Sequence, residues 1–212
     1  MSKYEAEFLS QKEEVLELIE TTTNPLHLKI LKNYRRHSLL EISGYSDQIL
    51  SPDMTVEHPV YKVIEGGKTM VFDGMEAVRA FYDALESTDS LVMWTSHSKI
   101  AVADWGFAGE VQFNQFVKGA VLQQDGVFAG IADAAASPSE GSSSEEYDPE
   151  AIYLVRRPVA YVWPYSEDGR LKGEQVYEDS SWRLVEEVAP EDVITPDRAR
   201  ELLAPQLETH WP

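Results

Sequence analysis

At Leu91 the spacing of apolar residues changes from helical to every second position, and this switch constrains the fold more than any other feature. Four stretches after it read as long strands, rich in β-branched and aromatic residues: "LVMWTSHSKIAVA", "FAGEVQFNQFV", "AIYLVRRPVAYVWPY" and "RLKGEQVYEDSSWRLVEEV". The links "DWG" and "EDG" are short enough for hairpins. Between the second and third strands lies "ASPSEGSSSEEYDPE", polar and low in complexity, which reads as a mobile surface loop over about 134–150.

Before the switch the chain reads as helices. Residues 3–20 place Tyr4, Phe8, Val15, Leu18 and Ile19 near one face, and Pro25 then disfavours helical geometry at Asn24. A second helix from about Leu26 puts Leu31, Tyr34, Ser38 and Ile42 on one stripe and ends near Gly44. The segment "YSDQIL" suggests a further helical turn. "DMTVEHPVYKVI" reads as a strand that Pro59 confines to an edge or bulge. "DGMEAVRAFYDALES" is the clearest helix, with Met75, Val78, Phe81, Tyr82 and Leu85 on its apolar face. "TPDRARELLAP" reads as a short terminal helix capped by Thr195, opened by Pro196 and stopped by Pro205.

Helices first and antiparallel strands afterwards predict an α+β domain with the helices covering one face of a sheet. The expected division is a helical N-terminal extension over 1–24, a main domain over 25–190, and a C-terminal helix and tail over 191–212. A chain of 212 residues with 43% apolar and 10% aromatic content can bury a substantial core. Its formal net charge of -19 argues against nucleic acid and anionic membranes as partners. The absence of cysteine removes disulfides, thiolate nucleophiles and cysteine zinc sites. The first twenty residues lack a basic segment followed by an apolar run, and no later stretch approaches ~18 uninterrupted apolar residues. A cytoplasmic protein is the expectation.

Sequence motifs narrow the chemistry. "EGGKT" at 65–69 lacks the earlier glycine of a phosphate-binding loop, since that position holds Lys62, and there is neither a G-x-S-x-G nor an H-E-x-x-H pattern. The five histidines are scattered, so a metal site would have to be assembled by the fold, and no metal or other cofactor is expected. His58, in "VEHPVY", is either directed into a cleft or a hydrogen-bonded edge histidine. In the third long strand Tyr153, Val155, Val159, Tyr161, Trp163 and Tyr165 share a face, which suits either a pocket for an apolar, oxygenated ligand or a dimer surface. In the fourth, Gln175, Tyr177 and Asp179 share one face and Glu174, Val176 and Glu178 the other. Asp179 is a pocket acid if the first face is inward and a surface acid if it is not.

"LKILKNYRRHSLLEISGYSDQILSPDMTVEHP", "FDGMEAVRAFYDAL" and "YVWPYSEDGRLKGEQVYED" together resemble SnoaL-like proteins of the nuclear transport factor 2-like superfamily, over roughly Leu26 to Val188. The resemblance implies a cone, a strongly curved antiparallel sheet wrapped around helices with a pocket at its open end. It also implies a homodimer and a cofactor-independent activity of the cyclase, dehydratase or isomerase type. Binding modules and epoxide hydrolases of the same fold are the alternatives, since fold does not assign activity. The family's pocket acid falls on Asp179, its histidine after the first strand on His58, and its aromatic positions before the turn on Trp163 and Tyr165. Where many relatives have a histidine after the D-G turn this chain has Glu174, which puts a histidine-assisted mechanism in doubt. The expected roles are proton transfer by Asp179 with His58 as partner, and ligand contact by Tyr82, Tyr161, Trp163, Tyr165 and Tyr177. For epoxide hydrolysis, Asp104 and Arg156 or Arg157 are available by type.

Overall fold

A computed structural model describes residues 2–122, 127–128 and 147–209. The helical first part contains α1 (Glu5–Thr21), α2 (Pro25–Ile42) and the short α3 (Ser46–Ile49). Asn24, held extended before Pro25, caps α2 by accepting the N–H groups of Leu26 and His27, which is why the break falls there. A hairpin follows, β1 (Val60–Glu65) and β2 (Lys68–Asp73), and then α4 (Met75–Ser87). The "GG" of "EGGKT" is the hairpin's two-residue turn, with φ of 55° at Gly66 and 77° at Gly67. Positive φ at both positions is what a tight hairpin turn needs and glycine supplies without strain. β2 is a strand the sequence reading missed, and β1 starts at Val60, after Pro59, rather than at Asp53.

The long strands β3 (Met93–Ala103) and β4 (Gly106–Lys118) form the hairpin expected at "DWG". A short helix α5 (Gly119–Leu122) follows β4, and β5 (Ile152–Pro164) pairs with β4 along its whole length, from Gly106 opposite Pro164 to Lys118 opposite Ile152. Most of the Ser/Glu-rich segment at 134–150 lies outside the described residues. The fourth stretch is not one strand. It divides into β6 (Gln175–Glu178) and β7 (Leu184–Glu187), separated by a 3₁₀ turn over Ser180–Trp182, and both pieces pair with β5. Asp179 causes the break, because its carboxylate accepts the Ser181 N–H and so favours a turn over a continued ladder.

The sheet order is β2-β1-β6-β5-β4-β3, with β7 also on β5. All pairs are antiparallel except β1 with β6. That parallel contact is close at Gly173, where φ is 150° and an added Cβ would lie 1.9 Å from the Val60 carbonyl oxygen. Glycine is therefore what admits the crossing. The sheet is unclosed and curves around α1 and α2, which pack against β3, while α2 also reaches β4. This is the α+β cone that the resemblance to SnoaL-like proteins implies.

The helix α6 (Pro196–Thr209) is capped by Thr195, whose Oγ1 accepts the Arg198 N–H, as the sequence predicts. It runs through Pro205 instead of stopping there; a proline costs a helix one N–H and strains the preceding turn, without forcing an end when neighbours hold the rod. Packing on α2 and the burial of Ala199 and Leu203 supply that hold. At the other end, Tyr4, just before α1, and Phe8 and Val15 of α1 are buried in the common core, and Arg156 binds both carboxylate oxygens of Glu7 at 2.7 and 3.0 Å. No helix among the described residues is long and apolar enough to cross a membrane.

Candidate functional site

The concave face of the sheet and the inner faces of α2 and α4 enclose a largely apolar cavity of about 90 Å³. On a scale where about 10–15 Å³ admits one water, this holds several waters or part of a small organic molecule. Helical spacing decides what α2 contributes: Tyr34, Arg35, Ser38, Glu41 and Ile42 face the space. From β5, Val159, Tyr161 and Trp163 face it, as their shared strand face requires. Phe107 of β4 lies behind them, fully buried, with its ring 4.4 Å from Tyr34, 5.6 Å from Tyr161 and 5.4 Å from Trp163.

Pairing register settles which face of β6 is inward. Tyr161 lies opposite Val176 and Val159 opposite Glu178, so Val176 and Glu178 turn inward with them, and so does Glu174. Glu174 and Val176 line the cavity. Gln175, Tyr177 and Asp179 turn outward, which corrects the expectation that Asp179 closes the pocket. Asp179 is exposed and bound to Ser181, and Tyr177 is 37% exposed with its hydroxyl on Gln175 Oε1. His58 is also outside: its ring is exposed and bound to Asp73 at 2.7 Å. Of the expected ligand-contacting residues, Tyr161 and Trp163 line the cavity and Tyr82 is buried beside Glu174. Tyr165 is buried behind the wall, its hydroxyl on Asn33 Oδ1 at 3.4 Å. Asp104 is exposed on His27, and Arg156 is held by Glu7, so neither reaches the cavity.

The polar end of the cavity is a cluster that combines α2, α4, β1 and β6. Glu174 Oε1 lies 3.2 Å from His37 Nε2 and 3.5 Å from the Tyr82 hydroxyl. Tyr82 in turn lies 2.9 Å from His37 Nε2 and 3.0 Å from the Tyr61 hydroxyl. Glu41 approaches the same nitrogen at 3.9 Å. Burial, reinforced by Glu41, pushes the Glu174 carboxyl well above the ordinary range, while the Tyr61 and Tyr82 phenols oppose that shift by favouring its charged form. Burial pulls His37 down to about 3. The two shifts together favour the pair's proton on Glu174 and leave His37 neutral. Burial also keeps both phenols protonated, far above their usual range. Glu174 touches the open space, whereas His37 is fully buried behind it.

His37 escaped the sequence reading because it falls beside, not on, the stripe of Leu31, Tyr34, Ser38 and Ile42. Its one sequence signal was Glu41, four residues on and hence adjacent on the helix. Three donor nitrogens of two wall residues, Trp163 Nε1 and the Nε and Nη1 of Arg35, are buried without a hydrogen-bond partner.

A second buried ionic group lies behind Phe113 and Phe128 of the cavity wall. Arg157 stands beside the rings of Phe113 and Phe128, 4.9 and 5.0 Å away, and both rings line the cavity. Its Nε lies 2.8 Å from Glu178 Oε2, and its Nη2 donates to Gln115 Oε1 at 2.7 Å. Arg183 binds Glu178 and also Glu65, whose Oε1 accepts the Val127 N–H. With each carboxylate met by an arginine, this group is a structural plug. Among the described residues no cluster of three or more histidine, aspartate or glutamate side chains could hold a metal ion.

No protein-family model matches the chain, and no curated protein does. Solved structures of similar fold include the epoxide hydrolase/cyclase-like enzyme SalBIII, of pyran ring formation in the polyether salinomycin. It is 10% identical, with 84% of this chain and 98% of that chain covered and a TM-score of 0.42. Another is the phenazine biosynthesis-related protein phzb2 of Pseudomonas aeruginosa, 12% identical, covering 82% of this chain and 83% of that one at a TM-score of 0.37.

Proposed function

We propose that the chain is a cofactor-independent acid–base enzyme acting on a hydrophobic, oxygenated small molecule, in a reaction of the dehydratase, isomerase or cyclase type. The observation that carries this reading is the Glu174–His37 contact of 3.2 Å at the polar end of an apolar cavity. A carboxyl kept neutral at neutral pH is a proton donor, and apolar walls strengthen its effect on a bound oxygen. Glu174 would give its proton to a hydroxyl or carbonyl oxygen of the ligand as that oxygen gains negative charge. The carboxylate so formed is stabilised by the Tyr61 and Tyr82 phenols, and it regains a proton from the carbon next to the ligand's carbonyl. His37, neutral and 3.2 Å away, holds the carboxyl in orientation.

The experiment is a panel of aryl β-hydroxy ketones in deuterated water, read by mass spectrometry for loss of water and for deuterium incorporated next to the carbonyl. Wild-type protein should catalyse one or both, and Glu174→Gln should lose ~10²–10⁴-fold of the rate, the usual weight of a positioned proton-transfer group, with its melting temperature kept. A folded Glu174→Gln variant as active as wild type overturns the assignment.

A further inference from the structure

We infer that Arg35 is the anchor for a carboxylate carried by the ligand, so that the cavity selects hydrophobic carboxylic acids. This rests on the cavity being a ligand site, as proposed above, but not on any catalysis in it. Arg35 is 3% exposed and lines the cavity. Its Nη2 reaches Gln206 Oε1 at a marginal 3.5 Å, and its Nε and Nη1 are buried with no partner. The other buried arginine, Arg157, also has its Nε and Nη1 outside hydrogen-bond geometry but has the Glu178 carboxylate at 2.8 Å, whereas no carboxylate is paired with Arg35. Burial of an unpaired charge is unfavourable, and burial lowers the Arg35 pKa with no carboxylate opposing it. A carboxylate would meet this guanidinium through one of its two forks, Nη1 with Nη2 or Nε with Nη2, and would neutralise the charge.

The location fits a ligand that meets both Arg35 and Glu174. At 100° per residue, Ser38 sits mid-stripe on α2, Arg35 roughly 60° to one side, and Glu41 and His37 roughly 60° and 100° to the other. A molecule lying across α2 would place its carboxylate at Arg35 and a second oxygen near Glu174, with its apolar body against Tyr161 and Trp163. Among the described residues lining the cavity Arg35 is the one basic side chain, and the carboxyl groups are those of Glu41 and Glu174. In a protein of net charge -19 an anion would be repelled without a cation at the site.

The test is equilibrium binding, by tryptophan fluorescence and calorimetry, of benzoate, cinnamate and 2-naphthoate against their uncharged amides. Wild-type protein should bind at least one acid ten times or more tightly than its amide. Arg35→Met should abolish that preference, and Arg35→Lys should keep part of it. Equal affinities for acids and amides, a preference that survives Arg35→Met, or no binding of any acid would each overturn the proposal. Should Arg35→Met fail to fold, wild type and Arg35→Lys still decide it through the acid-to-amide ratio. Loss of turnover without loss of the acid preference, or the reverse, separates a failure of the catalytic reading from a failure of this one.

Discussion

Val176 of β6 lies opposite Tyr161 of β5, and this single pairing turns Glu174 into the cavity and Asp179 out of it. A slip of one residue would exchange the two faces, because side chains alternate strictly along a strand. The candidate chemistry of the chain thus depends on a register held by Gly173 on one side of β6 and by the Asp179 turn on the other.

The first prediction follows from that placement. Asp179→Asn and His58→Gln should leave any activity of the protein within about twofold of wild type, since neither side chain reaches the cavity. An Asn at 179 still accepts the Ser181 N–H, so the melting temperature should hardly move. Steady-state rates on the ketone panel check the first point and a thermal melt the second.

The pH profile of stability is a second. Stability rises with pH wherever the unfolded chain binds more protons than the folded one, and falls where it binds fewer. Below about 4.5 the unfolded chain carries protons on both Glu174 and His37 while the folded pair carries one, so stability falls as pH falls. Above 4.5 the raised Glu174 lowers stability as pH rises while the depressed His37 raises it up to 6.5, so the two oppose one another there. Above 6.5 only the folded pair retains a proton, so stability declines with rising pH by up to about 1.4 kcal/mol per pH unit, until Glu174 ionises. Glu174→Gln should remove the alkaline decline and, with His37 acting alone, move the onset of the acid decline up to about 6.5. Urea midpoints of both proteins from pH 4 to 9 give the answer.

How much of this was legible in the sequence differs from element to element for physical reasons. The apolar face of α4 and the aromatic face of β5 were readable, because each has a strong period that its burial enforces. The alternation in β6 grouped the right residues but could not orient them, since a period of two looks the same from either side and the β5 partner lies a hairpin away. β2 was missed because it is a short edge strand whose side chains are at most half buried. The break before β7 was missed because it depends on one side-chain hydrogen bond from Asp179. The polar cluster is assembled from residues 37, 61, 82 and 174, so no local spacing could reveal it.

The buried ionic plug yields a third prediction. Glu178→Gln leaves Arg157 buried without its 2.8 Å carboxylate and should cost about 3–5 kcal/mol, as loss of one member of a buried pair does. Removing both, as Arg157→Met with Glu178→Gln, should cost less than the sum of the single changes. Chemical denaturation of the three variants tests the coupling.

Phe107 gives a fourth. It is fully buried and touches Tyr34, Tyr161, Trp163 and Tyr165. Phe107→Ala should cost about 3–5 kcal/mol and loosen the aromatic wall, so ligand affinity should fall along with the denaturation midpoint.

The central claim is that Glu174 is a neutral acid held against a neutral His37 at the cavity's polar end. Its most direct test is the infrared spectrum at pH 7, taken as the difference between wild type and Glu174→Gln. The account predicts a protonated-carboxyl carbonyl band in wild type that is lost in the variant. A difference spectrum showing carboxylate absorption alone would contradict it.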